Sequence, residues 1–201
     1  RQVFTPYSAP MPDWLQVILL GVIEGITEFL PISSTGHLLL AEKWIGERPE
    51  HFTIFIQSGA VLAVLAVFRE RVGELMEKWR EMETQDYLKK LGFSFVLTGF
   101  GGMALKKMGW ELPNESTPIA WALLIGGALF VAFELHHRKK TTKTDTKKTI
   151  PDITWTIAIA FGVAQLIAMV FPGASRSGTT ILIGLILGMH RREAVEFSFL
   201  L

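Results

Sequence analysis

The distribution of apolar residues constrains the fold of this chain more than any other feature. Long apolar stretches alternate with charged segments, and a helix needs about 20 mostly apolar residues to cross a bilayer. Because lipid offers the backbone no hydrogen-bond partners, such stretches are expected to be helical. We therefore predict an all-α, polytopic integral membrane protein. The stretches cover residues 14–30, 52–68, 91–105, 118–135, 153–171 and 181–189, and a further one begins near residue 194.

Composition agrees with a membrane protein and excludes several other classes. Hydrophobic residues make up 49% of the 201 residues, charged residues make up 19%, and the mean hydropathy is positive. The formal net charge of +1 gives no global basic field, so no nucleic-acid partner is expected. The chain has no cysteine, which excludes disulfides, zinc–thiolate centres and cysteine nucleophiles.

Two charged segments between the apolar stretches indicate the orientation. Residues 69–90 and 136–152 are rich in lysine and arginine, and we interpret both as loops. Cytoplasmic loops carry an excess of these residues, so both segments are expected on the cytoplasmic side of the membrane. A binding site for anionic lipid is the alternative interpretation of this positive charge.

Two similar polar motifs interrupt the apolar pattern. The segments FLPISSTGH (29–37) and FPGASRSGTT (171–180) share a phenylalanine, a proline, serines, a glycine and a threonine. Such a break at membrane depth is tolerated only where it is buried in protein or lines a cavity, so we interpret both motifs as tips of re-entrant helical hairpins. The cytoplasmic segments make the first hairpin enter from outside and the second from inside. This predicts inverted-topology repeats whose tips meet near the membrane midplane.

The repeat also predicts the domain organisation, which is a single membrane domain. Ser33 and Ser175 are 142 positions apart (175 − 33), so the second repeat is expected to end near residue 277 (135 + 142), after further C-terminal spans. The parts of the domain are an N-terminal extension (1–13), a first repeat (14–135) and a partial second repeat (153–201).

The first tip begins with two glutamates in an apolar setting. Glu24 and Glu28 are four residues apart, so they share one face of a helix. Burying an ionised carboxylate in a membrane is costly, and a divalent cation, an arginine, a shared proton or water is needed to offset the charge. The alternative is a wet helix end at the membrane interface. The pair is therefore a candidate for metal or proton handling.

Hydroxyl groups and a histidine follow Pro31 in the same tip. Proline ends one helix and lets another begin, so the hydroxyls and backbone N–H groups that follow can surround an anion at a helix N-terminus. His37 lies three residues after Ser34, which on a helical turn brings an imidazole near a hydroxyl as a nucleophile–base pair. Ordinary helix capping is the alternative, and it explains one hydroxyl. The candidates in this segment are Ser33, Ser34, Thr35 and His37.

The second tip contributes an arginine within an apolar region. Arg176 needs a partner at that depth, and its planar guanidinium suits the oxygens of a phosphate. Neighbouring hydroxyls and backbone N–H groups would complete an oxyanion-binding nest. The alternative is a structural ion pair that joins Arg176 to Glu24 or Glu28 and holds the two tips together. Further candidates for substrate binding are Ser175, Ser177 and Thr180 in this tip and Gln57 in the second apolar stretch.

These residue types together favour phosphoryl transfer. Acids, hydroxyl nucleophiles, a histidine base and an arginine clamp suit a reaction in which catalysis is mostly positioning and charge stabilisation. Because these residues lie at membrane depth, a lipid phosphate is the expected substrate. A transporter or flippase of lipid phosphates is the alternative, because transporters also use inverted repeats with broken helices. A flippase needs anion binding but no nucleophile and base.

Four longer segments carry a resemblance to a known family. They read GVIEGITEFLPISSTGHLLL, IQSGAVLAV, FPGASRSGTTI and EAVEFSFLL. Through them the chain closely resembles the bacterial undecaprenyl-diphosphate phosphatase family, also called the bacitracin-resistance family. The resemblance implies hydrolysis of undecaprenyl diphosphate to undecaprenyl phosphate and inorganic phosphate, which recycles the lipid carrier of cell-wall synthesis and gives bacitracin resistance. It also implies a multi-pass protein of the bacterial inner membrane whose active site faces the outside.

The resemblance implies roles and partners as well. Glu24 and Glu28 would be the acidic pair that handles a metal or a proton, with Mg²⁺ or Ca²⁺ as the divalent cation. Ser34 would be the nucleophile activated by His37, and a phosphohistidine at His37 is the competing assignment. The expected partners are the polyprenyl diphosphate and membrane lipids, and the sequence is compatible with a homodimer. The residues that would support the loop or hold the diphosphate are Ser33, Ser175, Arg176 and Thr180.

Overall fold

The computed structural model describes residues 11–110, 116–137, 153–171 and 173–201. Regular structure within these ranges is entirely α-helical, which confirms the predicted all-α class for the described part of the chain. Most of the N-terminal extension and of the basic segment 136–152 lies outside the described residues. The helices are α1 (Asp13–Phe29), α2 (Ser34–Ile45), α3 (Glu50–Val67), α4 (Arg69–Glu77), α5 (Met82–Lys107), α6 (Ser116–His137), α7 (Trp155–Val170), α8 (Arg176–Ile186) and α9 (Arg191–Leu200).

The charged segment 69–90 is mostly helical, so its interpretation as a loop is wrong. It contains α4 and the first turns of α5. Residues three or four apart are neighbours on a helix, and oppositely charged side chains at that spacing stabilise it. Glu74 accordingly pairs with Arg71 at 2.7 Å and with Lys78 at 3.1 Å. Opposite charges at spacings of three and four residues predict a helix here, whereas a high density of charge alone suggested a loop.

The glycine-rich part of the third apolar stretch continues as one helix and packs closely against α7. The Ser94 hydroxyl donates a hydrogen bond to the Ala158 carbonyl at 2.7 Å across the two helices. A Cβ added at Gly101 would lie 2.6 Å from the Leu166 side chain. Small residues allow helix backbones to approach each other closely, so these glycines support packing of α5 on α7 rather than a break in α5.

The two polar motifs connect two pairs of packed helices. Residues 30–33 join α1 to α2, residues 171–175 join α7 to α8, and the two helices of each pair pack against each other. The starts of α1 and α7 differ by 142 positions (155 − 13), and so do those of α2 and α8 (176 − 34). The same offset separates Ser33 from Ser175. The helix boundaries therefore follow the internal similarity of the sequence.

One helix in the described ranges is long and apolar enough to cross a membrane by itself. It covers Thr117–His136 within α6. Helices α3 and α4 satisfy the same length and composition test only when they are taken together, and they are bent by 68°. Helix α7 has 16 residues, which at 1.5 Å per residue reach about 24 Å against a hydrocarbon core of about 30 Å. An arm of that length is suited to a hairpin that turns within the membrane.

Large apolar side chains remain exposed along one row of α1 and one row of α7. Members of each row are four residues apart, so each row follows one face of its helix. Soluble monomers rarely expose contiguous apolar patches of large area, so these faces are consistent with a membrane protein. The exposed residues are Ile18, Val22 and Ile26 on α1 and Ile159, Val163 and Ile167 on α7.

An aromatic cluster joins α5, α7 and α9. The ring of Phe197 meets the rings of Phe161 and Tyr87 edge to face, at centroid distances of 5.0 and 5.6 Å. Such edge-to-face pairs stabilise a core beyond the area that they bury. Beside the cluster, buried Arg71 of α4 makes an ion pair at 2.5 Å with Glu196 of α9. These contacts fix α9 against the rest of the described helices.

Candidate active site

The first tip presents Ser34 at the start of α2. Ser33 is the N-cap residue, and its hydroxyl accepts a hydrogen bond from the Gly36 N–H at 3.3 Å. Ser33 has a φ of 68°, which is uncommon for a residue with a Cβ and costs about 1–3 kcal/mol. Strain of this kind is concentrated at functional sites. Here it accompanies the sharp turn that places Ser34 next to the end of α1.

Ser34 contacts a carboxylate of the preceding helix. Its hydroxyl donates a hydrogen bond to Oε2 of Glu28 at 2.6 Å. The spacing of His37 and Ser34 in the sequence predicted His37 as the partner of this hydroxyl. Instead, His37 Nδ1 lies 2.8 Å from the Ser33 carbonyl. A carbonyl can only accept, so Nδ1 carries a proton, and Nε2 is the nitrogen that has a lone pair when the imidazole is neutral. The structure therefore presents Glu28 as the proton acceptor of Ser34.

The second tip presents Arg176 at the start of α8 in the same manner. Ser175 caps this helix, because its hydroxyl accepts a hydrogen bond from the Gly178 N–H at 3.1 Å. Its hydroxyl also lies 3.2 Å from that of Ser177. Both tips thus use a serine cap bonded to a glycine three residues later. The caps leave the first helical residue of each tip, Ser34 or Arg176, available for chemistry.

The two tips meet at Glu28. The Arg176 guanidinium Nη2 lies 3.7 Å from Glu28 Oε1, while the other oxygen of that carboxylate accepts from Ser34. Close backbone contact supports the meeting, because a Cβ added at Gly178 would lie 3.2 Å from the Pro31 carbonyl oxygen. The structural ion pair that the sequence analysis considered is therefore present with Glu28. It does not exclude phosphate binding, because 70% of the Arg176 side chain is exposed.

Glu24 lies one helical turn before Glu28 and is buried. Its side chain is 1% exposed, and neither carboxylate oxygen has a hydrogen-bond partner among the described residues. A buried ionised carboxylate without a partner is costly, so this side chain requires a proton or a cation. Three or more histidine, cysteine, aspartate or glutamate side chains do not come together as a metal site anywhere in the described ranges. A cation here would therefore be held by Glu24 and Glu28 with oxygens from water or substrate.

A cavity of about 350 Å³ lies beside the meeting point of the tips. One part of its wall is polar and includes the Glu28 carboxylate and the Arg176 guanidinium. Another part is apolar and comes from α3, α5 and α9. This combination suits a head group that is charged and a tail that is not. The polar lining residues are Glu28, Gln165, Arg176, Ser177, Thr180 and Ser198, and the apolar ones are Val61, Val64, Leu65, Phe95, Phe199, Leu200 and Leu201.

Of three further predicted residues, one lines this cavity and two do not. Thr180 is buried and lines it, whereas Thr35 is exposed on the first turn of α2. Gln57 is half-buried on α3 and does not line this cavity. Two lining residues were missed by sequence reasoning, Gln165 on α7 and Ser198 on α9. Gln165 is an amide within the apolar helix α7, and a strongly polar side chain at membrane depth is itself a functional signal. Ser198 lies between two phenylalanines at the end of α9, whose earlier turns are charged, so the sequence gives no such signal for it.

The site has the parts that phosphoryl transfer needs. The Ser34 hydroxyl, hydrogen-bonded to the Glu28 carboxylate, can serve as a nucleophile with its base. The His37 imidazole lies in the same tip. A guanidinium and several hydroxyls can neutralise and orient a phosphate. These groups come from helices that pack on each other, so their relative positions are set by the fold.

Comparisons with known proteins agree with this chemistry. The sequence profile of the family described as bacitracin resistance protein BacA matches residues 17–201. A protein of Rhizobium etli (strain CIAT 652) named undecaprenyl-diphosphatase is 49% identical over 189 residues, which cover 94% of this chain and 69% of the relative. A protein of Xanthomonas euvesicatoria pv. vesicatoria with the same name is 46% identical over 191 residues, with the same two coverages.

Proposed function

The chain belongs to the family of the bacitracin resistance protein BacA, and on that basis we propose that it is an undecaprenyl-diphosphatase. It hydrolyses undecaprenyl diphosphate to undecaprenyl phosphate and inorganic phosphate. This reaction recycles the lipid carrier of cell-wall synthesis and gives bacitracin resistance. The observation that carries the proposal in the structure is the contact of one Glu28 carboxylate with both the Ser34 hydroxyl and the Arg176 guanidinium.

The geometry supports a reaction in two steps with Ser34 as the nucleophile. Ser34 Oγ attacks the terminal phosphorus while its proton passes to Glu28, which accepts its hydrogen bond at 2.6 Å. The bond from that phosphorus to the bridging oxygen breaks, and undecaprenyl phosphate leaves. Water then attacks the phosphorus of the phosphoserine, the bond from phosphorus to Ser34 Oγ breaks, and Ser34 Oγ takes back the proton from Glu28. Both protons of the water stay on the inorganic phosphate that is released. Arg176 balances the charge of the phosphate oxygens.

A second assignment uses His37 as the nucleophile. Its Nδ1 donates to the Ser33 carbonyl, so the unprotonated Nε2 is free to attack phosphorus. Ser34 would then position the diphosphate. Trapping the phosphoenzyme distinguishes the two, because a phosphoserine survives acid and a phosphohistidine does not. We expect an acid-stable phosphoenzyme that Ser34→Ala abolishes and His37→Gln does not.

The donor set fits a divalent cation as a further part of the site. Mg²⁺ is commonly held by one or two carboxylates together with substrate phosphates and water, and the partnerless oxygens of buried Glu24 supply such a ligand. Glu24 and Glu28 would hold the ion. When bound, it would neutralise charge on the diphosphate. Ca²⁺ accepts the same oxygen ligands.

The helix lengths support an arrangement of two re-entrant hairpins. Helices α1 and α2 form one hairpin and α7 and α8 the other, and all four are shorter than a single span needs. The hairpins enter the bacterial inner membrane from opposite faces as inverted repeats, so their tips meet at depth. The site then faces the outside. Cysteines introduced singly at loop positions and labelled from either side would test this orientation.

A polyprenyl-phosphate flippase is the competing function, and the Ser34–Glu28 hydrogen bond argues against it. A carrier needs to bind the anion but has no use for a hydroxyl aligned with a base. The test is release of inorganic phosphate from undecaprenyl diphosphate by the purified protein in detergent. We expect release at many turnovers per protein. Lipid binding by a folded protein without any release would support the flippase instead.

A further inference from the structure

A hydroxyl on α9 reaches the site from outside the two tips. Ser198 lines the same cavity as Glu28 and Arg176. Its Oγ lies 2.5 Å from the hydroxyl oxygen of Thr180, which is 1% exposed. This hydrogen bond joins α9 directly to Thr180, the fifth residue of α8. Ser198 is thus a polar cavity residue that neither tip motif contains.

The hydrogen bond between Thr180 and Ser198 can run in either direction. Thr180 has one hydroxyl proton but three acceptors nearby: the carbonyl of Arg176 at 2.8 Å, the carbonyl of Ser177 at 3.1 Å, and Ser198 Oγ. If Thr180 donates to a carbonyl, Ser198 must donate to Thr180. If Thr180 donates to Ser198, the Ser198 proton is free to point into the cavity.

An anion in the cavity selects the second arrangement. A hydrogen bond from a hydroxyl to a charged phosphate oxygen is stronger than one to a neutral oxygen, so a phosphate draws the Ser198 proton towards itself. Thr180 can then supply its own proton to Ser198 without leaving an unpaired donor. Both hydroxyl protons therefore have a hydrogen-bond acceptor whether or not the phosphate is bound.

Aromatic packing holds Ser198 in place. The neighbouring Phe199 ring stacks with Phe29 at 5.9 Å and with Phe68 at 5.8 Å. Phe29 is the residue after Glu28, so this stack fixes α9 relative to the catalytic end of α1. A binding group that is held by packing loses little freedom when its ligand arrives.

We propose that Ser198 is a further substrate-binding residue, which donates a hydrogen bond to a phosphate oxygen and is oriented by Thr180. The inference rests on the proposed phosphatase function for its substrate. The proposed contact of Ser198 is with the diphosphate head group of the substrate and not with its lipid tail. It adds α9 to the helices that form the anion site.

The test compares three variants of the full chain in detergent. Ser198→Ala removes the donor, and we expect kcat/KM for undecaprenyl diphosphate to fall about tenfold or more, with a similar rise in the inhibition constant of inorganic phosphate. Ser198→Thr keeps the hydroxyl and should restore both values to within about threefold of wild type. Ser58→Ala is the matched control, because Ser58 is exposed and its hydroxyl donates a hydrogen bond to the Ile54 carbonyl of its own helix.

Two kinetic results would overturn the inference. Wild-type values of kcat/KM and of phosphate inhibition in Ser198→Ala would show that this hydroxyl does not contact the head group. A loss that Ser198→Thr does not repair, together with a lower melting temperature, would show that Ser198 only supports packing of α9.

A binding measurement separates this inference from the proposed function. Pyrophosphate should raise the melting temperature of the wild type and of Ser58→Ala, but not that of Ser198→Ala. If the wild type releases no phosphate and still shows this pattern, the phosphatase proposal fails while the anion contact stands. If pyrophosphate has no effect on a wild type that also releases no phosphate, both fail.

Discussion

The Arg176 guanidinium lies 3.7 Å from the Glu28 carboxylate, and through this contact the second polar motif meets the first. The same carboxylate accepts the hydrogen bond of Ser34 on its other oxygen. One carboxylate thus connects a hydroxyl from one hairpin with a guanidinium from the other. Because the two residues come from motifs 142 positions apart, the site depends on tertiary packing of both hairpins.

Ser34 and Glu28 are expected to act as a unit. Replacing Ser34 with Ala, or Glu28 with Gln, should each lower kcat about 10³-fold or more, and the double variant should be little worse than either single variant. The reason is that Glu28 contributes little to the rate without the Ser34 hydroxyl, and Ser34 contributes little without Glu28 to accept its proton. Phosphate release by the four proteins measures this. Losses that multiply in the double variant would contradict a shared role.

Gly178 is expected to tolerate no side chain. A Cβ there would lie 2.9 Å from the Cβ of Ser175 and 3.2 Å from both the Pro31 carbonyl oxygen and the Phe130 ring, so Gly178→Ala should disturb the second tip and its contact with the first. We predict a loss of about 1–3 kcal/mol in the free energy of unfolding and a larger proportional loss of activity. Gly126→Ala on α6 is the control, because a Cβ at Gly126 meets nothing within 4 Å. Equal behaviour of the two variants would contradict the close contact.

Arg71 is expected to stabilise the fold without contributing to the chemistry. It is buried and pairs with Glu74 and Glu196, so Arg71→Ala would remove the ion-pair partner of the largely buried Glu196 carboxylate and leave Glu74 with Lys78. The free energy of unfolding should fall by about 3–5 kcal/mol, as measured by thermal or denaturant unfolding in detergent. Arg69→Ala is the neighbouring control, because Arg69 is exposed on the same helix. An unchanged stability of Arg71→Ala would show that the ion pairs are not needed.

Glu24 is expected to control the requirement for a divalent cation. Glu24→Gln should raise the Mg²⁺ concentration for half-maximal phosphate release about 10-fold or more, because one of two carboxylate ligands is lost. The measurement is a Mg²⁺ titration after treatment with a chelator. Exposed Glu47→Gln provides the control. A Mg²⁺ dependence identical to that of the wild type would remove Glu24 from the cation site.

Much of this site could be predicted from sequence because its motifs are local. Proline and glycine in an apolar context predict the ends of α1 and α7, and serine at each break predicts the capped starts of α2 and α8. The need of a deep arginine for a partner predicts the contact between Arg176 and an acidic residue of the first tip. Each of these follows from a few neighbouring residues.

The partners that depend on tertiary packing could not be predicted. Sequence spacing favoured His37 as the partner of Ser34, whereas the strained turn at Ser33 directs the Ser34 hydroxyl back to Glu28. Ser198 lies in an apolar run, and only the approach of α9 to α8 reveals its contact with Thr180. The length of an apolar stretch also does not distinguish a span from a hairpin arm.

The most direct test is release of inorganic phosphate from undecaprenyl diphosphate by the wild type, Ser34→Ala and Arg176→Ala. The control is Arg191→Ala, because Arg191 is an exposed arginine at the start of α9 that pairs with Glu134. We expect release by the wild type and by the control, a loss of about 10³-fold or more in Ser34→Ala and a loss of about 10²-fold or more in Arg176→Ala, because each removes one of the two groups that meet at Glu28. Near-normal release by Arg176→Ala would contradict a site built from both hairpin tips.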